Sequence, residues 1–253
     1  MSEQIFNNHI HDLSSASYRR NVLMHTDFLA QDELAEFKKL VPKLENKRYV
    51  IFGGYEYAER ALVIFLPDYE EEFDNDGSNH LIDCLKIEPV NAKFADELSH
   101  RDYLGALMNL GIERRVIGDI VISENKAYLF CLPIMTDFIK DNLQKVKHTM
   151  IKISDGDAKE IVLEQRFEHI IGSVASERLD AIVSFVYKLS RGNAQKLIDA
   201  EKVFVNGMVV TSAGKDLKPE DRVSVRGYGK FIYKGYENTT RKGRLYMSVD
   251  KFV

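Results

Sequence analysis

Basic and polar side chains gather around one short stretch, SRGNAQKLIDAEKVFVNGMVV, at positions 190–210. Ser190 is a favoured helix N-cap residue, and Ala194, Leu197 and Ile198 follow it at helical spacing. The first amides of such a helix lack partners and the dipole is positive there, so that end attracts anions. Lys188 and Arg191 flank it, Gln195 comes one turn later, and Lys196 adjoins Gln195. Together they make a candidate cradle for phosphate. Further cations stand nearby in the chain: Arg178, Lys215, Arg226, Lys230, Arg241, Lys242 and Arg244. Tyr228, Phe231, Tyr233 and Tyr236 are interleaved with the later ones. Cations displace counterions from a phosphate backbone, and rings stack on exposed bases. The same residue types also occur on ordinary solvated faces. Arg178 can instead pair with Asp180, Asn206 can serve only its turn, and several of the tyrosines must pack to hold their strands.

Other chemistries are poorly supplied. His9, His11 and Asp12 have no third ligand at a recognisable spacing, and a flexible N-terminal tail is expected there. The acidic run PDYEEEFDNDGSN lacks the ligand spacing of a calcium loop and reads as a solvated loop. Cys84 and Cys131 sit among apolar residues and read as buried thiols of a reducing cytosol. FGGYEYAER lacks the lysine of a phosphate-binding loop, and no glycine-rich cofactor loop follows a strand. No catalytic residue, metal site or cofactor is implied. There is no apolar run of about 18 residues and no secretory leader pattern, so no membrane partner is expected. The formal net charge is −4, but residues 177–253 hold 15 Lys and Arg against 9 Asp and Glu. An acidic body with a basic last third points to a polyanion partner for that third.

Three regions must position these residues, and together they predict an α+β fold. Residues 1–78 form an N-terminal α/β region: a helix in TDFLAQDELAEFKKLV, capped by Thr26 or Asp27, then strands in RYVIFGG and RALVIFLP. Residues 79–165 read β-α-β-β-α-β, the order of a ferredoxin-like unit and of RNA-recognition sheets. Ser99 and Thr136 are the N-caps expected for its helices, with Asp102 near the third position and Gly111 as terminator of the first. A turn is expected at 124–125. Tyr128 and Phe130 alternate on one strand; they can stack on bases, but the glycine-containing signature of such strands is missing, which favours packing under the helices. Residues 166–253 form the basic module. VLEQRFEHIIGSVASE leads into it and is expected to be helical in part. A first helix capped by Ser176 carries Leu179, Ile182, Val183 and Val186 inward, and the Ser190 helix follows after a short corner. Asn206 and Gly207 suit a type I′ hairpin turn. Two further strands joined by a basic loop at 238–243 complete the module.

The run Arg178, Leu179, Asp180, Ser190, Arg191, Ala194, Leu197, Ile198, Val203, Val205, Asn206, Gly207, Val210, Asp221 and Val223 to Val225 resembles the S4 RNA-binding domain. Glu201 and Glu220 depart from its pattern, which has glycine at both places. With FGGYEYAER, SHRDYLGALMNLGIERRVIGDI and RGYGKF, nearly the whole chain resembles the YlmH family of bacterial S4-domain proteins. That resemblance implies a cytoplasmic RNA-binding protein of three parts, the last an S4 domain with a C-terminal β extension. It implies rRNA of the large ribosomal subunit as partner, tRNA as a second RNA, and a role in ribosome quality control and peptidyl-tRNA rescue. Some members lie in cell-division gene clusters. A monomer is expected. Arg101, Arg114 and Arg115 extend the RNA surface or are solvated helix-end charges.

Two other functions compete. RNA-modifying enzymes also dock through S4 domains, and pseudouridine synthases carry an Arg-Leu-Asp motif with a catalytic aspartate. Here Arg178, Leu179 and Asp180 open a helix of the binding module, and too little chain follows for a catalytic domain. The other is a protein–protein adaptor of the division machinery, for which the basic module is dispensable.

Overall fold

The structure is a computed structural model that describes residues 3–55, 58–77, 79–123, 125–161, 167–239 and 243–252, with the Phe94 side chain left aside. The expected Glu124 half of a turn and the cations Arg241 and Lys242 lie outside the described residues. The fold is α+β, in two compact units, Met1–Leu163 and Glu164–Val253.

The first unit begins with a helix, not a tail. Phe6, Ile10 and Leu13 recur at helical spacing and are buried along α1 (Glu3–Arg20). The polar residues between them, His9 and His11 included, hide that stripe in the sequence. After β1 (Met24–His25) comes α2 (Gln31–Leu40), which starts later than expected. Thr26 does not cap it: its hydroxyl accepts the Val63 amide, 3.0 Å, and Leu29 bridges to Ala61, so 26–29 are held in the sheet. The Glu33 carboxylate takes the Ala30 amide at 2.8 Å instead. Strands β2 (Tyr49–Phe52) and β3 (Leu62–Phe65) complete a sheet of order β1-β3-β2.

The second half of this unit is the expected ferredoxin-like pattern: β4 (Asp83–Pro89), α3 (His100–Asn109), β5 (Ile117–Ser123), β6 (Lys126–Cys131), α4 (Thr136–Asn142), then β7 (Lys145–Val146) and β8 (Thr149–Asp155). The antiparallel order β5-β6-β4-β8-β7 puts β4 and β6, the first and third strands of this pattern, side by side inside the sheet. Asp102 accepts the Ser99 amide at 2.8 Å, and Gly111, at φ +80°, ends the helix turn as expected. Thr136 is a first helical residue and not the cap, because its hydroxyl is committed to the Asp83 carboxylate.

Of the segment expected to be helical in part, residues 162–166 lie outside the described residues and 167–174 are a strand: β9 (Phe167–Val174) pairs along its whole length with the last strand. Ile170 and Val174 alternate toward the core, a period of two that a short segment shows weakly. Next come α5 (Leu179–Val186) and α6 (Arg191–Asp199). The cap of α5 is Arg178 and not Ser176, since the Leu179 and Asp180 amides are taken by the carbonyls of Lys215 and Ala213. Strands β10 (Val203–Val205) and β11 (Met208–Val209) form the predicted hairpin, with Asn206 at φ +51° and Gly207 at +81°. With β12 (Arg222–Val225), β13 (Gly229–Thr239) and β14 (Leu245–Phe252) they make a sheet of order β11-β10-β12-β13-β14-β9. Its inward residues, among them Val203, Val223, Phe231 and Met247, pack on Leu179, Ile182, Val186 and Ile198 of the two helices.

Candidate nucleic-acid interface

The turn between α5 and α6 is fixed by its own backbone. The Leu189 amide reaches the Ser184 carbonyl at 2.9 Å and the Lys188 amide reaches Phe185 at 3.3 Å, a Schellman closure with Lys188 at φ +52°. Ser190 then caps α6, its hydroxyl accepting the Asn193 amide at 3.1 Å. Arg191 is thereby the first residue of a capped helix, and Lys188 is turned out beside it.

Asp180 anchors this end. Its carboxylate lies 2.6 Å from an Arg191 guanidinium nitrogen and 3.1 Å from Nε of Arg178, with the side chain only 7% exposed. Burial works to raise its pKa, but the hydrogen bonds from Arg178 and Arg191 prevail and hold it below the usual carboxylate range. Both arginines stay close to half exposed, 44% and 49%, so each can meet an anion while one side is held. One acidic group between two guanidinium groups leaves the trio with net charge +1.

Lys188, Arg191 and Arg244 line one groove of about 730 Å³ between α5 and the open edge of β9. Arg244 is steadied by Ser173, whose carbonyl accepts its guanidinium at 2.7 Å. The structure therefore brings Lys188, Ser190, Arg191 and Arg244 together and ties Arg178 to them through Asp180. Gln195 donates to Asp199 on its own helix at 2.8 Å, and Lys196 is exposed one turn along. Lys215 is half-buried beyond the start of α5. Arg226 and Lys230 lie on the opposite face of the sheet: Arg226 stands over the Phe204 ring, 4.8 Å from its centre, and Lys230 is opposite Ser224. Tyr228 is 44% exposed and leans on Tyr187, 5.5 Å between rings. The cations are visible in the sequence, but the contribution of β9 and Ser173 has no local signal there.

In the first unit, Tyr128 and Phe130 are buried, yet not under the helices. Helix-side packing belongs to Leu85, Ile87, Leu129 and Cys131. Phe130 faces the other way, into a core with Ile82 and with Phe28, Leu62 and Ile64 from the N-terminal region, and Tyr55 stacks on it at 4.9 Å. That side of the sheet is closed to bases at Phe130. A Cβ on Gly54 would come within 2.3 Å of the Phe130 ring, so only glycine admits this approach. Described residues of the motifs FGGYEYAER and ERRVIGDI bond to one another. The Tyr55 hydroxyl and the Arg60 amide both bond Asp119, and the Arg60 guanidinium reaches the Phe28 carbonyl at 2.6 Å. Arg114 donates to the carbonyls of Ile117 and Gly118, and burial, with Arg60 nearby, lowers its pKa to about 10. Arg115 pairs with Asp27 and Glu113, while Arg101 is exposed. Burial also pushes the Cys84 and Cys131 thiols up to about 12, which keeps them protonated and poorly nucleophilic at neutral pH.

Residues 78–160 match the family model described as "Putative RNA-binding domain in YlmH", and residues 177–223 match the S4 domain. The chain is 30% identical over 207 residues to "Ribosome-associated protein quality control protein P2" of Bacillus subtilis (strain 168), covering 79% of this chain and 76% of that one. It resembles the solved structure "Cell division protein ylmH from Streptococcus pneumoniae" in fold, with a TM-score of 0.52 at 20% identity over 64% of this chain and 95% of that chain. Among the described residues, no helix is long and apolar enough to cross a membrane.

Proposed function

The chain belongs to the YlmH family of S4-domain proteins, and from that premise we propose that it is a non-catalytic protein that grips structured RNA through the α5–α6 turn. The RNA is rRNA of the large ribosomal subunit, and the setting is ribosome-associated quality control with rescue of peptidyl-tRNA. The observation that carries this reading is the convergence of Lys188, Arg191 and Arg244 on one groove at a capped helix N-terminus. Helix amides and cations recognise sugar-phosphate shape without needing unpaired bases. The name of the Bacillus subtilis relative supports the ribosomal setting.

Co-sedimentation with ribosomes at moderate and high salt, with crosslinks mapped on both partners, tests it. Association should fall as salt rises, since phosphate contacts release counterions. Lys188→Glu with Arg191→Glu should weaken RNA binding by more than about tenfold, roughly 1.4 kcal/mol or more. Association indifferent to both changes would favour an adaptor that uses protein contacts, and base turnover by the purified chain would favour an enzyme.

A further inference from the structure

Among the described residues, the six-stranded sheet of the second unit has helices on one face only. Its inward rows, Val203 and Val205 on β10 and Phe231 and Tyr233 on β13, are buried against α5 and α6. Alternation sends the residues between them to the other face. The strand register then lines up a row across that face. Phe204 pairs with Ser224, and Ser224 with Lys230. Phe231 pairs with Lys251, which sets Lys230 beside Phe252 one step on, and Phe252 pairs with Phe167. The Phe252 and Phe167 rings meet edge to face at 5.0 Å, and Phe167 is 38% exposed. At the other end the Arg226 guanidinium carbon stands over the Phe204 ring, 4.8 Å from its centre. That ring face thus already accepts a cation, which a stacking base displaces toward its own phosphate.

This row belongs to neither the groove nor the core. Phe204 and Phe252 are half-buried and Phe167 is exposed, which leaves apolar ring surface in water, and the cations Arg222, Arg226 and Lys230 are set among them. Two acidic residues beside the face are already engaged, Asp250 by His169 at 2.7 Å and Glu220 by Lys234. Positive charge interleaved with rings fits a polyanion that carries planar groups better than a cationic peptide.

We infer that this outer sheet face is a second RNA surface, taking unpaired bases onto Phe204 and Phe252 while Arg226 and Lys230 hold the backbone between them. It rests on the reading of the chain as an RNA binder and adds a base-dependent contact to the shape-dependent one at Arg191.

The test uses the full chain and two labelled strands of about 12 nucleotides, inside the usual site size for stacking platforms: oligoadenylate and an abasic strand of equal length. The wild type should bind oligoadenylate at least about fivefold tighter. Phe204→Ala with Phe252→Ala should abolish that preference, and Phe204→Tyr with Phe252→Tyr should keep it. Arg191→Glu should weaken both strands alike and leave the preference intact. Photocrosslinking of a 4-thiouridine strand to the unaltered chain gives a readout that needs no variant, with crosslinks expected in the peptides holding Phe204, Phe252 or Phe167. Equal binding of the two wild-type strands, or crosslinks confined to α5 and α6, would overturn the inference while the groove reading stands. A lost preference in the alanine variant, with no effect of Arg191→Glu on either strand, would sink the groove reading and uphold this one. Ring variants that release a protein partner with strand preference unchanged would assign the face to protein and overturn the inference.

Discussion

Asp180 is the residue on which two arginines depend. Simple charge counting says that removing a carboxylate from a basic surface strengthens RNA binding. The geometry says the reverse, because Arg178 and Arg191 owe their placement to that carboxylate. Asp180→Asn should therefore weaken RNA binding severalfold although it raises net charge by one. It should also destabilise the chain by about 1–2 kcal/mol, the scale of charged hydrogen bonds discounted for half-exposed partners. Thermal unfolding and RNA titration on one preparation check both. Because the folded pKa of Asp180 is depressed, its contribution is complete above the unfolded carboxylate value of about 4. It is lost as pH falls through the lower folded value. The stability gap between wild type and Asp180→Asn should hold from neutral pH down to about 4 and close below it; a gap that instead widened on acidification would contradict the clamp.

At the scale of elements, the two departures from the S4 pattern are places where the backbone is left-handed. Glu201, at φ +57°, closes α6 in a Schellman turn, its amide on Ile198 and the Lys202 amide on Leu197, each at 3.0 Å. Glu220 stands at φ +70° ahead of β12. A side chain there costs about 1–2 kcal/mol, of which the unfolded-state freedom of glycine returns a part. Glu201→Gly and Glu220→Gly should each stabilise by about 0.5–1 kcal/mol. Glu220→Gly also gives up an exposed pair with Lys234, which is worth little. Unchanged or lowered melting temperatures would mean that other contacts set these turns. The covered sheet of the first unit makes a second prediction. Phe130→Ala should cost about 3–5 kcal/mol, as for other buried aromatics, and leave RNA affinity of the folded chain unaltered. Elements written in local signals were legible in the sequence: the Ser99 and Ser190 caps, the Asn206-Gly207 turn, and the strand and helix periods between them. What escaped is non-local. Nothing near Phe130 tells that Tyr55 and Phe28 will cover it, nothing near Phe167 announces a partner strand some eighty residues later, and α1 becomes a helix because Phe37 and Phe65 give its sparse stripe somewhere to pack. The same reason split the candidate site. The cations were visible one by one, but which sheet face each occupies follows from register.

For the whole molecule the two units carry opposite charge. Met1–Leu163 holds 19 Lys and Arg against 28 Asp and Glu, and Glu164–Val253 holds 16 against 11. The second unit has its own core, closed by α5 and α6 over six strands, so a fragment of residues 164–253 is expected to fold. Without the acidic unit, that fragment should bind RNA more tightly than the full chain at low salt. Surface charges act over about 30 Å at 0.01 M ionic strength but only about 8 Å at 0.15 M, so the advantage should shrink as salt rises toward the physiological range. Titrating one structured RNA with both chains across that range separates two roles for the first unit. A converging pair of curves means that Met1–Leu163 acts on this RNA by long-range repulsion alone. A full chain that binds more tightly than the fragment at every salt means that the unit touches RNA itself, through a surface other than the sheet face Phe130 closes.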